Sequence, residues 1–207
     1  MKSSGIISSN YQISDGVLAP SCELQAGRTS YLFGMLAGAV GALYAATQER
    51  AFLVDATGIF NAGMATYSKQ DIFVDACEPN CPLDQVSPKG TAILGLIYLY
   101  RTCGDSNLRQ SIQKLFDASA STMLPKCNDA GQCPNYWHGA NPGTLSFHTE
   151  LNALALMTAV SVVHDAKYAN EIVAPANIPV IKTVEPTNSA RVFRAALIQF
   201  LPIIMVI

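Results

Sequence analysis

The sequence predicts an all-α protein, and three observations carry that reading. Long apolar stretches keep a helical rather than an alternating period. They follow one rhythm: helix, short turn, helix, long decorated loop, helix again. Half of the 207 residues are hydrophobic and only 14% are charged, which is ample material for a sizeable core. Helical hairpins joined by long loops on one side describe an α/α toroid or an irregular bundle. The two hairpins share no clean internal repeat, which argues against a strict solenoid.

Residues 1–28 read as an irregular N-terminal segment, rich in Ser, Gly, Asn and Pro and weak in periodicity. "SYLFGMLAGAVGALYAAT" (30–47) is a long apolar helix whose interleaved glycines predict close packing against a neighbour. In "ERAFLVDATGIFNAGMATYS" (49–68), Phe52, Leu53, Ala56, Ile59, Phe60 and Met64 recur at helical spacing. A short extended piece, "DIFVDAC" (71–77), leads into a cysteine loop. The next helix, "SPKGTAILGLIYLYRTCG" (87–104), has Ser87 as its N-cap and Pro88 at the first helical position. "DSNLRQSIQKLFDASASTML" (105–124) is expected as its antiparallel partner, capped by Asp105 or Ser106. The loop "PKCNDAGQCPNYWHGANPG" (125–143) then separates this pair from the helix "TLSFHTELNALALMTAVSVVHDA" (144–166).

The helical body therefore spans 29–166, and from 167 to 207 the character changes to an irregular tail. Its apolar end, from Ala195 to Ile207, falls short of the ~20 residues needed to cross a bilayer. With Asn188, Ser189 and Ala190 upstream, it resembles a lipid-anchor attachment signal, although the spacer is short and carries Arg191 and Arg194. The plainer alternative is a frayed C-terminus.

The formal charge of −2 and the scattered Lys and Arg residues argue against a nucleic-acid partner. No glycine-rich phosphate loop or Ser-His-Asp arrangement points to a cofactor or to nucleophilic catalysis. Six cysteines are the unusual feature, and local spacing pairs Cys77 with Cys81 and Cys127 with Cys133, leaving Cys22 and Cys103 as a long-range pair. Structural zinc is the competing reading, but neither loop has a His at knuckle spacing. Disulfides imply an oxidising compartment. Yet "MKSSGIISSNYQ" has no apolar core of signal-peptide length, which predicts that an N-terminal part is missing.

The loop "CEPNCPLDQVSPKG" (77–90) holds the densest chemistry. A Cys77–Cys81 bridge would pin Asp84 and Gln85 in one geometry, and such side chains grasp vicinal sugar hydroxyls at short reach. The alternative is that Asp84 caps a turn or the following helix. Lys89 opposes the helix dipole in the first turn, which calls for a partner carboxylate such as Asp84 or Glu78, or else plain solvent exposure. Asp15 sits in an Asp-Gly turn. Tyr31 opens an apolar helix and is expected in core packing more than on a sugar. Trp137 beside Tyr136 and His138 is either an aromatic platform for a pyranose or a seal on the disulfide loop. His148 and His164 form no ligand constellation. Asp75, Glu78 and Asp84 lie close enough in sequence for two of them to converge.

The order of these pieces resembles the C-terminal half of glycoside hydrolase family 76, the endo-α-1,6-mannanases, and most of all their fungal cell-wall branch. "NYQISDGV" (10–17), "TSYLFG" (29–34), "LYAATQERAFLVDATGIFNA" (43–62), "DACEPNCPLDQVSPKG" (75–90), "YLYRTCGD" (98–105) and the Cys…Cys…Trp loop (127–137) carry the likeness. The resemblance implies an incomplete (α/α)6 toroid with disulfide-stapled loops, acting as a glycoside hydrolase or transglycosidase on α-1,6-mannan or mannoprotein glycan. It implies Asp15, Tyr31, Asp84, Gln85, Lys89 and Trp137 as substrate-binding residues, no cofactor, and a place at the cell wall or the outer face of the plasma membrane.

The family's catalytic element, an adjacent Asp-Asp pair, is absent from this sequence. The chain is expected to begin downstream of both that pair and the secretion signal. The family's Tyr-Asn-x-Gly becomes Tyr31-Leu32-Phe33-Gly34, Pro88 replaces a Phe, and Leu94 replaces an Arg, which pushes towards lost or altered activity. The rival reading is an inactive helical module that binds mannan or a protein. A half-toroid would also expose apolar helix faces, predicting self-association.

Overall fold

The computed structural model describes residues 6–24, 29–82, 88–140, 143 and 145–169. The Ser87 cap, Asp84, Gln85 and the tail beyond 169 lie outside the described residues.

Helix α1 (Ser30–Thr47) contains no charged residue and buries Gly34, Gly38 and Gly41. These glycines meet α3 (Pro88–Thr102), which begins at the proline the sequence placed there. A Cβ on Gly34 would stand 2.1 Å from the Ala92 carbonyl oxygen, and one on Gly38 2.5 Å from that of Gly95. Gly95 reciprocates, since a Cβ there would lie 2.3 Å from the Gly34 oxygen. Backbone therefore touches backbone along this seam, and no side chain fits between. Replacing Gly34 by valine is expected to lower the unfolding free energy by about 1–3 kcal/mol or more, read by urea titration.

Direction follows from the same contacts. Gly34 meets Ala92, Gly38 meets Gly95, and Gly41 meets Leu99 and Thr102, so α1 and α3 run parallel. Helix α5 (Phe147–His164) extends the layer on the other side of α3. The Gly90 amide donates to Asn152 Oδ1 at 2.7 Å near both helix starts, and the Tyr100 hydroxyl donates to the Val163 carbonyl at 3.3 Å near both ends. All three helices thus point the same way, with their N-termini at one end.

Two further helices cover this layer. In α2 (Arg50–Tyr67), Gly63 and Tyr67 lie against Phe33 at the start of α1, which makes α2 antiparallel to it. Phe33 also sits 6.2 Å from Phe60 and 6.3 Å from Phe73, ring centre to ring centre. Helix α4 (Ser106–Met123) is amphipathic and buries Leu108, Ile112, Leu115, Phe116 and Met123. Asp105 is its cap, accepting from the Leu108 amide at 2.8 Å. The expected hairpin with α3 is only partial, because α4 packs more extensively on α5 than on α3. Its start still reaches α3, with the Arg109 guanidinium 5.3 Å from the Tyr100 ring centre.

Strand is minor. β1 (Val17–Leu18) pairs antiparallel with β2 (Glu23–Leu24), and β3 (Ser68–Lys69) with β4 (Ile72–Phe73). The Phe73 amide donates to Ser119 Oγ at 2.9 Å, tying β4 to α4.

Both short-range disulfides are present, Cys77–Cys81 and Cys127–Cys133. The long-range pair is not: Cys22 and Cys103 are both free thiols. Cys103 is enclosed in the core beyond the end of α3, whereas Cys22 is exposed in the β1–β2 turn, so the fold holds the two thiols in separate places. Each short loop closes only a few residues, so its bridge is worth about 2 kcal/mol by loop-closure entropy. The Cys77→Ser/Cys81→Ser double variant is expected to lose about that much in urea titration.

Candidate functional site

Because α1, α3 and α5 are parallel, the segments that precede them collect at one end of the layer. Both disulfide loops are among these segments, and a buried polar network joins them.

Its centre is Lys89, in the first turn of α3 and fully enclosed. An ammonium there faces the positive end of the helix dipole and loses its water, so the fold must supply anions and acceptors. Glu78, from the Cys77–Cys81 loop, forms an ion pair with it, the Glu78 side chain being 1% exposed. The Asn135 carbonyl, from the Cys127–Cys133 loop, accepts from Lys89 Nζ at 2.8 Å. The Trp137 ring closes the remaining side, with its centre 4.1 Å from Nζ. Lys89 thus bolts both loops to the start of α3. Of the two carboxylates considered for it, Glu78 is the partner among the described residues.

An amide relay runs alongside. The Gly90 amide donates to Asn152 on α5, and Asn152 Nδ2 donates to Asn135 Oδ1 at 2.9 Å. Asn135 Nδ2 in turn points at Cys81 Sγ, 3.8 Å away. The second loop is braced from within: Trp137 Nε1 donates to the Pro134 carbonyl at 2.8 Å, and Lys126 Nζ donates to the carbonyls of Trp137 and Gly139. The Cys133 amide donates to Glu150 Oε1 at 3.0 Å, fixing this loop to α5.

A second carboxyl, Asp75, lies 7% exposed beside this cluster. Burial raises its pKa, opposed by the Lys89 ammonium and the Ser30 hydroxyl. Burial likewise pushes Glu78 up to about 7, with Lys89 opposing and Asp75 adding to the rise. Burial sets the direction, and one buried ammonium shared by two buried carboxyls does not offset it, so one of them is better off holding a proton.

Enclosure decides what this arrangement can do. Retaining glycoside hydrolysis needs two carboxyls about 5 Å apart flanking a sugar bond. Asp75 and Glu78 lie in one cluster, as the sequence allowed, and both carboxyls are enclosed among the described residues. Their chemistry is positional: they hold the two loops in one geometry over the helix ends.

The proposed sugar contacts fare unevenly. Lys89 and Trp137 are both fully buried in the described fold, with Trp137 packed between the disulfide loop and the Lys89 ammonium. Tyr31, expected in the core, is 37% exposed, because the buried side of α1 carries Phe33 and the glycines instead. Asp15 accepts from Thr29 Oγ1 at 2.7 Å, which ties its turn to the entry of α1. His164 pairs with Asp117 at 2.8 Å, and His148 lies edge-on to Phe147. No metal-holding cluster occurs among the described residues. Asn135, Asn152, Lys126 and Glu150 were not singled out from sequence. Asn152 alone left a trace there, as an amide within an otherwise apolar helix.

Comparison with known proteins supplies the frame for this site. Residues 1–171 match Glycosyl hydrolase family 76. No curated protein matches the chain. Among solved structures, it is similar to the GH76A α-1,6-mannanase from Salegentibacter sp. HEL1_6, at 18% identity and TM-score 0.63, over 73% of this chain and 46% of that one. It is also similar to Dfg5 from Chaetomium thermophilum, solved with glucosamine, at 15% identity and TM-score 0.66, over 76% and 42%. The Lin0763 protein from Listeria innocua shares 18% identity at TM-score 0.62, over 75% and 44%. The chain therefore spans less than half the length of these structures, and identities this low establish a common fold. With the family match extending over most of its length, the chain belongs to glycosyl hydrolase family 76.

Proposed function

We propose that this chain forms part of the substrate groove of a glycoside hydrolase or transglycosidase acting on α-1,6-mannan of the cell wall. The observation that carries this reading is the pair of disulfide-stapled loops, bolted by Lys89 over the N-terminal ends of three parallel helices. A rigid rim of that kind suits recognition of a sugar chain, since holding loops before binding spares the cost of ordering them. Two structural disulfides fit an oxidising, extracellular setting. The Salegentibacter relative is an α-1,6-mannanase by name, and an inactive variant of it, altered at two adjacent aspartates, was solved with α-1,6-mannotriose.

Catalysis is the weaker half of the reading. This sequence has no adjacent aspartates, and the buried carboxyls serve the fold. That observation favours a second reading, a module that binds mannan without cleaving it. The groove contacts proposed are Asp84, Gln85 and Tyr31, with Asp15 in support.

Incubating the full chain with α-1,6-mannotetraose, with mass spectrometry of the products and an NMR titration in parallel, separates the readings. Shortened or lengthened oligomannosides support the enzyme. Saturable binding with no new product favours the binding module. Absence of both overturns the proposal. Where binding is seen, Asp84→Ala is expected to weaken it about tenfold, the loss of one hydrogen bond to a charged group.

A further inference from the structure

The Cys77–Cys81 loop enters the fold through a charged side chain. Within residues 76–82, Ala76, Pro79, Asn80 and Pro82 are exposed, and Cys77 and Cys81 are half-buried. No side chain of this stretch belongs to the hydrophobic core. What the loop does enclose is the Glu78 carboxyl, 1% exposed against Lys89. The second loop is seated differently. Its Cys133 and Trp137 lie in the core, its Cys133 amide is held by Glu150, and its carbonyls are gathered by Lys126. Apolar burial holds a loop alike at every pH, whereas a hold through a carboxyl depends on that group's proton.

Asp75 stands three residues before Glu78 but is fixed to the fold. It follows Phe73 and Val74, both buried apolar residues. Its Oδ2 is enclosed with no hydrogen-bond partner among the described residues, and Lys89 is the ammonium that acts on it. Lys89 therefore keeps a counter-ion if Glu78 leaves. Among the described residues, the charged groups acting on Glu78 are Lys89 and Asp75, and Glu78 acts in turn on Lys126 of the second loop. Lys126 already donates to the Trp137 and Gly139 carbonyls. Two enclosed carboxyls facing one enclosed ammonium carry no net charge only while one proton stays on the pair. Once both ionise, an uncompensated charge is enclosed, and returning one carboxylate to water relieves it. Glu78 is the one free to go, because its loop takes no core side chain with it.

We infer that the Cys77–Cys81 loop is a proton-controlled latch, seated on Lys89 while the Asp75–Glu78 pair holds a proton and lifted from it when both are ionised. The size of the effect follows from Glu78, which is pushed from 4.5 to about 7 in the seated loop and returns to its ordinary value in water. By linkage the opening constant rises about 70-fold between pH 5 and pH 8. The latch needs no sugar. Only its use, opening the rim of the proposed groove to a glycan, rests on the mannan reading.

The test is the rate at which a phosphine reductant opens each bridge in the full chain, from pH 5 to pH 8. Alkylation and mass spectrometry of the Cys77/Cys81 and Cys127/Cys133 peptides read the two rates. The second bridge is the internal reference, so the ratio of rates cancels the reductant's own pH dependence. The expected result is a ratio that rises about 70-fold in the wild type and stays flat in Glu78→Gln, which has a side chain of the same size and no charge to release. Circular dichroism checks that the variant keeps its helices. A flat ratio in the wild type overturns the inference, because the two loops then loosen together or not at all. An equal rise in Glu78→Gln overturns it as well, because another group is then titrating. A rising ratio beside a failed sugar titration supports the latch and removes only its use.

Discussion

Replacing Lys89 by methionine lowers the unfolding free energy by about 3–5 kcal/mol, the cost of leaving buried carboxyls without their counter-ion. The size follows from the enclosure of the pair, both side chains being at most 1% exposed. A surface pair would be worth under about 1 kcal/mol. Methionine fills most of the volume of the lysine stem, so the loss reads out charge and hydrogen bonds rather than a cavity. The variant gives up the Glu78 ion pair, the bond to the Asn135 carbonyl and the cation against the Trp137 ring together. Urea titration at pH 7 measures it, with Trp137 fluorescence as a local probe. A loss under 1 kcal/mol would show that Lys89 is not the bolt. Adding Glu78→Leu to the variant is expected to restore part of the loss, because replacing both partners by apolar groups removes the stranded charge.

Raising the pH from about 4.5 to 7 lowers the unfolding free energy of the wild type. Glu78 has an ordinary value of 4.5 and is pushed up to about 7 in the fold, chiefly by burial. Between those values the native state holds a proton that the unfolded chain has released. The slope of stability with pH is therefore negative in that window. The contribution is fully present below 4.5 and gone above 7, a span equivalent to about 3 kcal/mol at 1.36 kcal/mol per unit. Asp75, also raised by burial, acts in the same direction. Urea midpoints at pH 5 and pH 7.5 test this, with Glu78→Gln as the control that flattens the dependence. Stability that instead rises across this window would mean that Glu78 is ionised throughout and that the ion pair outweighs its desolvation.

These two effects arise from a cluster that the sequence shows only in fragments. The helices were legible because their signals are local. α1 and α2 follow apolar spacing, Pro88 starts α3, Asp105 caps α4, and Cys77–Cys81 and Cys127–Cys133 close within a few residues. The glycines of α1 announced a close neighbour because only a backbone-to-backbone contact needs so many. The order of such segments also carried the family, since helix lengths and loop chemistry survive where identities do not.

The site was less legible, because what a side chain faces depends on segments that are remote in the chain. Lys89 meets Asn135 across 46 residues, and Gly90 meets Asn152 across 62. The dipole conflict at Lys89 left a carboxylate partner and plain solvent exposure both open; packing chose Glu78 and covered the pair with Trp137. Cys22 and Cys103 were paired by elimination, and burial of one and exposure of the other separated them. Tyr31 was assigned to the core by its neighbours in sequence, and the rotation of α1 put it outside. By itself, the sequence determined the helices, the Asp105 cap of α4, the two short disulfides and the family. Tertiary structure decided which polar groups are enclosed, because burial is set by what lands on a residue rather than by what adjoins it.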